Sequence, residues 1–437
     1  MSKVDSASCP SHIRASFLHF FADPSESSEL DSYEYLEDGL LSVLDGKVVS
    51  LETYDPQKHH QLDYTDYSGN IVMPGFIDTH VHFPQTEMMA AYGEQLLEWL
   101  ENYTFPTELQ YKDRQYAAEM ADFFLDQLFR HGTTTALVFG TVHPQSVDAL
   151  FEKARAINMR IIAGKVMMDR NAPADLCDTP ESGYQDSREL IEKWHNIGRL
   201  QYAITPRFAP TSSPEQLKFA GKLKTEFPDV YIHTHLCENH QEIKWVESLY
   251  PTNSGYLDVY HHHGLTGDKS VFAHCLHLTD DEWQTMENTD SVIAFCPTSN
   301  FFLGSGLFKW NKAKQHKLRI GLGSDVGAGT SFSQLQTLSE AYKVMQLQGE
   351  KLSPLQGLYQ VTLGGAHALS IDGYVGNFLP GKEADFIVVD PNATPLQALR
   401  QSRSRSLIDQ LFALMMLGDD RNIKATYVDG TVVYQRD

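Results

Sequence analysis

"PGFIDTHVHFPQ" (74–85) is the stretch from which the architecture is read. A Pro-Gly turn opens onto an apolar run that ends in two histidines one residue apart, His80 and His82. Alternate residues of a strand share a face, so Asp78, His80 and His82 point the same way. The run is the first of eight short apolar segments between residues 76 and 325: "FIDTHVH", "GTTTALVF", "RIIAGKVM", "QYAITPRF", "VYIHTHL", "SVFAHC", "VIAFCPTS" and "RIGLGSD". Polar or glycine-marked loops and longer segments of helical periodicity separate them, including 107–132, 143–159 and 212–227, the last with a serine placed to cap its N-terminus. This alternation predicts an α/β fold, a (β/α)8 TIM-like barrel over residues 74–370 with long loops.

The two ends read differently. Residues 1–73 hold short strand-like segments such as "GLLSVLDGKVVSLE", with Asp45-Gly46 suited to a hairpin turn. Residues 371–437 hold "EADFIVVD" and "KATYVDGTVVYQ", with a second such turn at Asp429-Gly430. Neither fragment can bury a face alone, so a small β-sandwich domain assembled from both chain ends is expected. The apolar helical spacing of "RSLIDQLFALMMLGDDRN" adds a packed C-terminal helix. "HHHG" (261–264) reads as a helix end stopped by Gly264.

Composition narrows the function. The 437 residues are 42% hydrophobic, enough for a large core, and carry a net charge of −22, which opposes phosphate backbones and anionic membranes. Nucleic acid is not expected as a partner, although a free nucleobase remains compatible. The five cysteines, Cys9, Cys177, Cys237, Cys275 and Cys296, contain no CxxC pair and suggest neither a disulfide framework nor a thiolate metal site. No run of about 18 apolar residues and no leader-like start occurs. These features lead to the expectation of a cytoplasmic protein without a membrane partner.

Active sites of (β/α)8 enzymes lie at the C-terminal ends of the strands. There the first segment offers His80 and His82, the fifth His233 and His235, the sixth His274 and the eighth Asp325. Imidazoles with one carboxylate match a zinc-type site that leaves a position for water, and His80, His82, His235 and Asp325 form the expected ligand set. Glu238, three residues after His235, is suited to carry a proton between a metal-activated water and a substrate. Without the neighbouring histidine it would read as a solvated loop glutamate.

These residues resemble a known set. "PGFIDTHVH", "HTHLCE", "FAHC" and "GLGSDVG" fall in the order of the amidohydrolase superfamily. "HFPQ" (82–85), "LLEWLENYTFPTE" (96–108), "TPRFAPTSS" (205–213), "CPTSNFFLGSG" (296–306) and "LGDDRNI" (417–423) are similar to guanine deaminases. The resemblance implies one metal ion per subunit, zinc or iron, held by His80, His82, His235 and Asp325. It implies that His274 lies near the metal or bonds to its water, and that Gln85, Arg207, Phe208 and Glu238 contact substrate. It further implies hydrolytic deamination of guanine to xanthine, with Glu238, Asp325 and His274 catalytic, and a homodimer. Guanine offers a planar ring, the acceptors O6 and N7, and a donor edge at N1 and the 2-amino group. Phe208 is suited to stack, Arg207 to donate to O6 or N7, and Gln85 to give and accept. Trp99, Leu100 and Phe105, in the long loop after the first strand, are expected to cap the pocket.

Three other readings stay open on sequence. A dinuclear cyclic-amide hydrolase needs a bridging ligand such as a carboxylated lysine, and Lys165 is a strand lysine of the required type. A deaminase of 8-oxoguanine, a thiopurine, a triazine or another aminoheterocycle would use much of the same site. A scaffold protein would be expected to lose ligands, and none is missing.

Overall fold

The computed structural model describes residues 10–92 and 96–436. Cys9, counted above, lies outside the described residues. The eight expected segments are the strands of one parallel sheet: β1 (Phe76–His82), β2 (Thr133–Phe139), β3 (Arg160–Gly164), β4 (Gln201–Pro206), β5 (Tyr231–Leu236), β6 (Ser270–His274), β7 (Val292–Phe295) and β8 (Arg319–Leu322). Each pairs with the next in sequence order. The sheet closes on itself just beyond β8. There Asp325 N–H donates to the His80 carbonyl at 2.9 Å and His82 N–H to the Val326 carbonyl at 2.8 Å. Asp78 ties the same seam: its Oδ1 accepts from Ser324 N–H at 3.0 Å and from His80 N–H at 3.1 Å. Gly323 is required here, because a Cβ would stand 2.8 Å from that of His80.

The barrel interior is filled by inward side chains near the strand starts, including Ile77, Leu137, Ile162, Tyr231, Val271 and Val292, and Leu369, Ile371 and Val375 cluster with them. With that end packed, the opposite rim is free to hold polar chemistry. The flanking helices are shorter than the periodicity suggests: Arg114–Arg130 begins at an Asp113 cap, Pro144–Ala156 follows His143, and Pro214–Glu226 is capped by Ser213. Gly264, at φ +71°, follows the helix Tyr256–His262.

Both chain ends contribute to a second, seven-stranded sheet containing Ser11–Phe20, Tyr33–Leu44, Lys47–Thr53, Thr65–Pro74, Phe386–Val389, Ile423–Val428 and Thr431–Gln435. The two Asp-Gly pairs make its hairpin turns with positive φ throughout: Asp45 50°, Gly46 72°, Asp429 50° and Gly430 75°. The sheet folds over a core of its own that joins Phe17, Val43 and Val72 to Phe378, Phe386 and Val388. A bridge from Lys47 to Glu383 brings its distant parts together. Buried ion pairs fix this sheet to the barrel: Arg160 Nη2 meets Glu383 Oε1 at 2.7 Å, and Arg199 bonds both Glu383 and Asp385. The helix Leu407–Leu417 packs against the barrel helices Gln334–Leu347 and Pro354–Gln360.

Candidate active site

The strand ends bring the expected metal ligands together. His82 Nε2 lies 3.2 Å from His80 Nε2, 3.3 Å from His235 Nε2 and 3.3 Å from Asp325 Oδ1, and His80 Nε2 lies 3.1 Å from the same oxygen. His274 joins them: the ligand atoms of His80, His235, His274 and Asp325 all fall within 4.8 Å of one another. His274 Nε2 stands farther out, 3.8 Å from Asp325 Oδ2 and 3.5 Å from Glu238 Oε2. The backbone turns sharply beside several of these groups, with φ of 75° at His274, 54° at Cys275, 51° at Cys237 and 51° at Asp325. Left-handed backbone at such residues costs about 1–2 kcal/mol each and is retained where neighbours enforce it.

Protonation fits a metal. Burial, offset in part by Asp325, holds the His82 imidazole down to about 4, and burial likewise holds His274 at about 3 and His235 well below its ordinary range. Burial acts to raise the Asp325 carboxyl, yet the histidines beside it pull it well below the usual carboxylate range. Neutral imidazoles and an ionised carboxylate are the forms that ligate. The ring orientations are also set. His235 Nδ1 donates to the Arg207 carbonyl at 2.7 Å, which leaves Nε2 its lone pair. His80 Nδ1 shares a 2.7 Å hydrogen bond with His233 Nε2. His233 therefore supports the His80 ring from behind, a contact its sequence position did not disclose. Gln85 Nε2 lies 3.2 Å from His82 Nδ1, and because an amide nitrogen only donates, Nδ1 is the acceptor of this contact. His274 Nε2 is buried and has no hydrogen-bond partner among the described residues, so a polar atom toward the cluster is owed to it.

Glu238 lies in the same cleft. Burial first, then the nearby carboxylates of Asp325 and Glu242, raises its pKa well above the ordinary value, against a 3.0 Å hydrogen bond from Ser305 Oγ. A carboxyl whose pKa is raised holds its proton more tightly than a solvated glutamate, which suits it to proton transfer. Glu242 holds the segment beneath it, accepting from the backbone N–H of Glu238 at 2.9 Å and of Asn239 at 3.1 Å and from the Tyr256 hydroxyl at 2.8 Å.

The cleft, about 420 Å³ including its mouth, is lined by His82, His235, Glu238, His274 and Asp325 at one end and by Gln85, Leu96, Trp99, Leu100, Arg207, Phe208 and Leu303 elsewhere. His80 is fully buried behind that surface. The 96–108 segment, expected as a capping loop, is a series of short helices from Leu96 to Glu108 whose Leu96, Trp99 and Leu100 form the wall. Phe105 instead packs beside the Arg207 guanidinium, 5.7 Å from its ring centroid. Phe208 meets Trp245 edge-on. Trp99 Nε1–H is buried with no acceptor among the described residues.

Lys165, the residue on which a dinuclear site would depend, bonds Asp178 and the Val166 carbonyl. Glu108, Ser305, Asn300 and Glu242 are contributors that the sequence reading missed. Asn300 Nδ2 meets His274 Nδ1 at 2.9 Å. Ser305 and Asn300 both lie in "CPTSNFFLGSG", Asn300 in the short helix Pro297–Phe302 and Ser305 in the loop after it, and neither polar residue has a pattern that singles it out.

A model of the amidohydrolase family matches residues 71–433. The chain is 60% identical to guanine deaminase of Escherichia coli K12 over 97% of its own length and 98% of that protein. The corresponding E. coli structure superposes with a TM-score of 0.95, covering 98% of this chain and 100% of that one. Guanine deaminase from C. acetobutylicum, solved with guanine bound in its active site, is 30% identical with a TM-score of 0.88 over 98% of this chain and 100% of that one. This chain belongs to the amidohydrolase family, and within it to the guanine deaminases.

Proposed function

We propose that the chain hydrolyses guanine at C2, giving xanthine and ammonia, and that the cleft divides this work between its two ends. The observation that carries the reading is the placement of Glu238, its pKa raised by burial, beside the histidine–aspartate cluster in a cleft also lined by Gln85, Arg207 and Phe208. His80, His82, His235 and Asp325 are the residues that would hold one metal ion, zinc being the better match to the donor set and iron the alternative. When bound, such an ion lowers the pKa of a water from 15.7 to about 7.

Glu238 moves the proton. The water gives its first proton to Glu238 as its oxygen adds to C2, and Glu238 delivers a proton to N3, so that the ring carries no net negative charge as the C2–O bond forms. Asp325 and His274 orient the incoming oxygen and pass its remaining proton to the 2-amino group. The C2–N bond then breaks, ammonia leaves and the ring returns as xanthine. Phe208 stacks on the base, Arg207 donates toward O6 or N7, and Gln85 reads the edge. Leu96, Trp99 and Leu100 keep water out.

The reading extends to a cytoplasmic homodimer. Cys177, Cys237, Cys275 and Cys296 are free thiols, and no helix among the described residues is long and apolar enough to cross a membrane. Exposed Leu396, Leu399, Ile408 and Leu417 near the C-terminus give apolar surface for a second copy.

The test is to incubate the metal-loaded protein with guanine, adenine, cytosine and a dihydropyrimidine, following ammonia and product absorbance. Guanine is expected to be converted with one ammonia per xanthine. Conversion of adenine but not guanine would overturn the substrate while leaving the metal site standing.

A further inference from the structure

Glu108 closes the helical wall of the cleft and is fully buried, yet it is absent from the cleft lining. Its carboxylate accepts from Arg207 Nη1 at both oxygens, 2.9 and 2.8 Å, and its Oε1 also accepts from Gln85 Nε2 at 3.2 Å. The two side chains assigned to read the base are therefore held by one carboxylate behind them. We propose that Glu108 is the positioning residue that sets base recognition, fixing the guanidinium plane of Arg207 and the amide orientation of Gln85. The proposal rests on the guanine-deaminase reading above.

The amide of a glutamine can present either end to a ligand at little steric difference. Here one end, Nε2, faces the acceptor-only carboxylate of Glu108 and also His82 Nδ1, each at 3.2 Å. The other end, Oε1, accepts from Gly327 N–H at 3.3 Å. The donor is thus forced toward Glu108 and the acceptor toward Gly327, and the flipped amide would set donor against donor at Gly327 and acceptor against acceptor at Glu108. Arg207 gains a second constraint. Its backbone carbonyl accepts from His235 Nδ1, so the residue that reaches Glu108 with its side chain orients a metal ligand with its main chain. Because Glu108 ends the segment that carries Leu96, Trp99 and Leu100, the wall and the readers are placed together.

The experiment measures kcat and KM for guanine in metal-loaded Glu108→Gln, Glu108→Asp, Arg207→Met and the double variant Arg207→Met/Glu108→Gln. Arg207→Met and Glu108→Gln are each expected to raise KM about ten- to a hundredfold, with kcat changed less than about threefold. In the Arg207→Met background, Glu108→Gln is expected to add less than about threefold, since most of its effect runs through Arg207. Should Glu108→Gln leave Arg207 buried without a partner and fail to fold, the double variant removes both charges, and Glu108→Asp keeps the charge while withdrawing it by one methylene. Glu108→Asp is then expected to raise KM in the same direction. Additive KM effects, or a kcat loss at unchanged KM, would overturn the role of Glu108. Arg207→Met with unchanged KM, or a wild type inactive on guanine, would overturn the functional reading itself and take this role with it.

Discussion

At the end of the cleft proposed to hold a metal, His80, His82, His235 and Asp325 come from the ends of barrel strands and are locked by one another and by backbone. At the end proposed to read the base, Gln85, Trp99, Leu100 and Arg207 come from loops and short helices, and Gln85 and Arg207 bond the Glu108 carboxylate. The first end is made by the fold; the second is made on it. The contrast teaches that reaction class and substrate choice reside in parts of the molecule with different rigidity, so they should fail separately.

The largest effect is expected where the fold itself supplies the chemistry. His235→Ala removes a ligand and should abolish both stoichiometric metal and turnover, whereas His233→Ala, which only loosens His80, should weaken metal binding about 10–100-fold and leave activity recoverable at higher metal concentration. Metal content against free metal, measured alongside turnover, checks both. Equal loss in the two variants would erase the distinction between a ligand and its support.

A smaller effect is expected at the reading end. Phe208→Leu keeps an apolar wall and loses the stacked face, so KM for guanine should rise about two- to tenfold with kcat nearly unchanged. A kcat loss of the same size would show that the two ends are not separable.

The smallest effect concerns the support under Glu238. Burial lifts the Glu242 carboxyl from 4.5 to about 7, so the folded state binds its proton more tightly than the unfolded chain. Stability contributed by this group is present below about pH 4.5 and is lost as pH rises to about 7. Glutamine mimics the neutral acid, and Glu242→Gln should gain a few degrees in Tm relative to wild type between pH 5 and pH 8. Melting curves at the two pH values check it, and a constant gap would remove the assigned protonation.

The contrast between the two ends also explains what the sequence disclosed. Strand-end histidines at two-residue spacing are visible because the pleat forces them onto one face, as at His80 and His82. The eight strands and the Asp-Gly hairpins were legible for the same reason, since local geometry dictates them. His233 shares the face of His235 but bonds His80 across the barrel, a pairing that only closure of the sheet creates. Glu108 bonds residues 23 and 99 positions away in the chain. Contacts of that range leave no periodic trace, and a glutamate at the end of "TFPTE" looks like an ordinary helix-surface residue. The wall itself was expected as an irregular loop, and its succession of short helices follows from a proline near the start of Phe105–Glu108 and the cap at Asp113 that begins a new helix.

The central claim is that proton transfer and base recognition belong to different ends of one cleft, and Glu238→Gln tests it most directly. Guanine titrated calorimetrically into the metal-loaded variant, with turnover measured on the same sample, should bind with wild-type affinity and be converted about 10²–10⁴-fold more slowly. Turnover near the wild-type rate, or loss of guanine binding with the metal still in place, would contradict it.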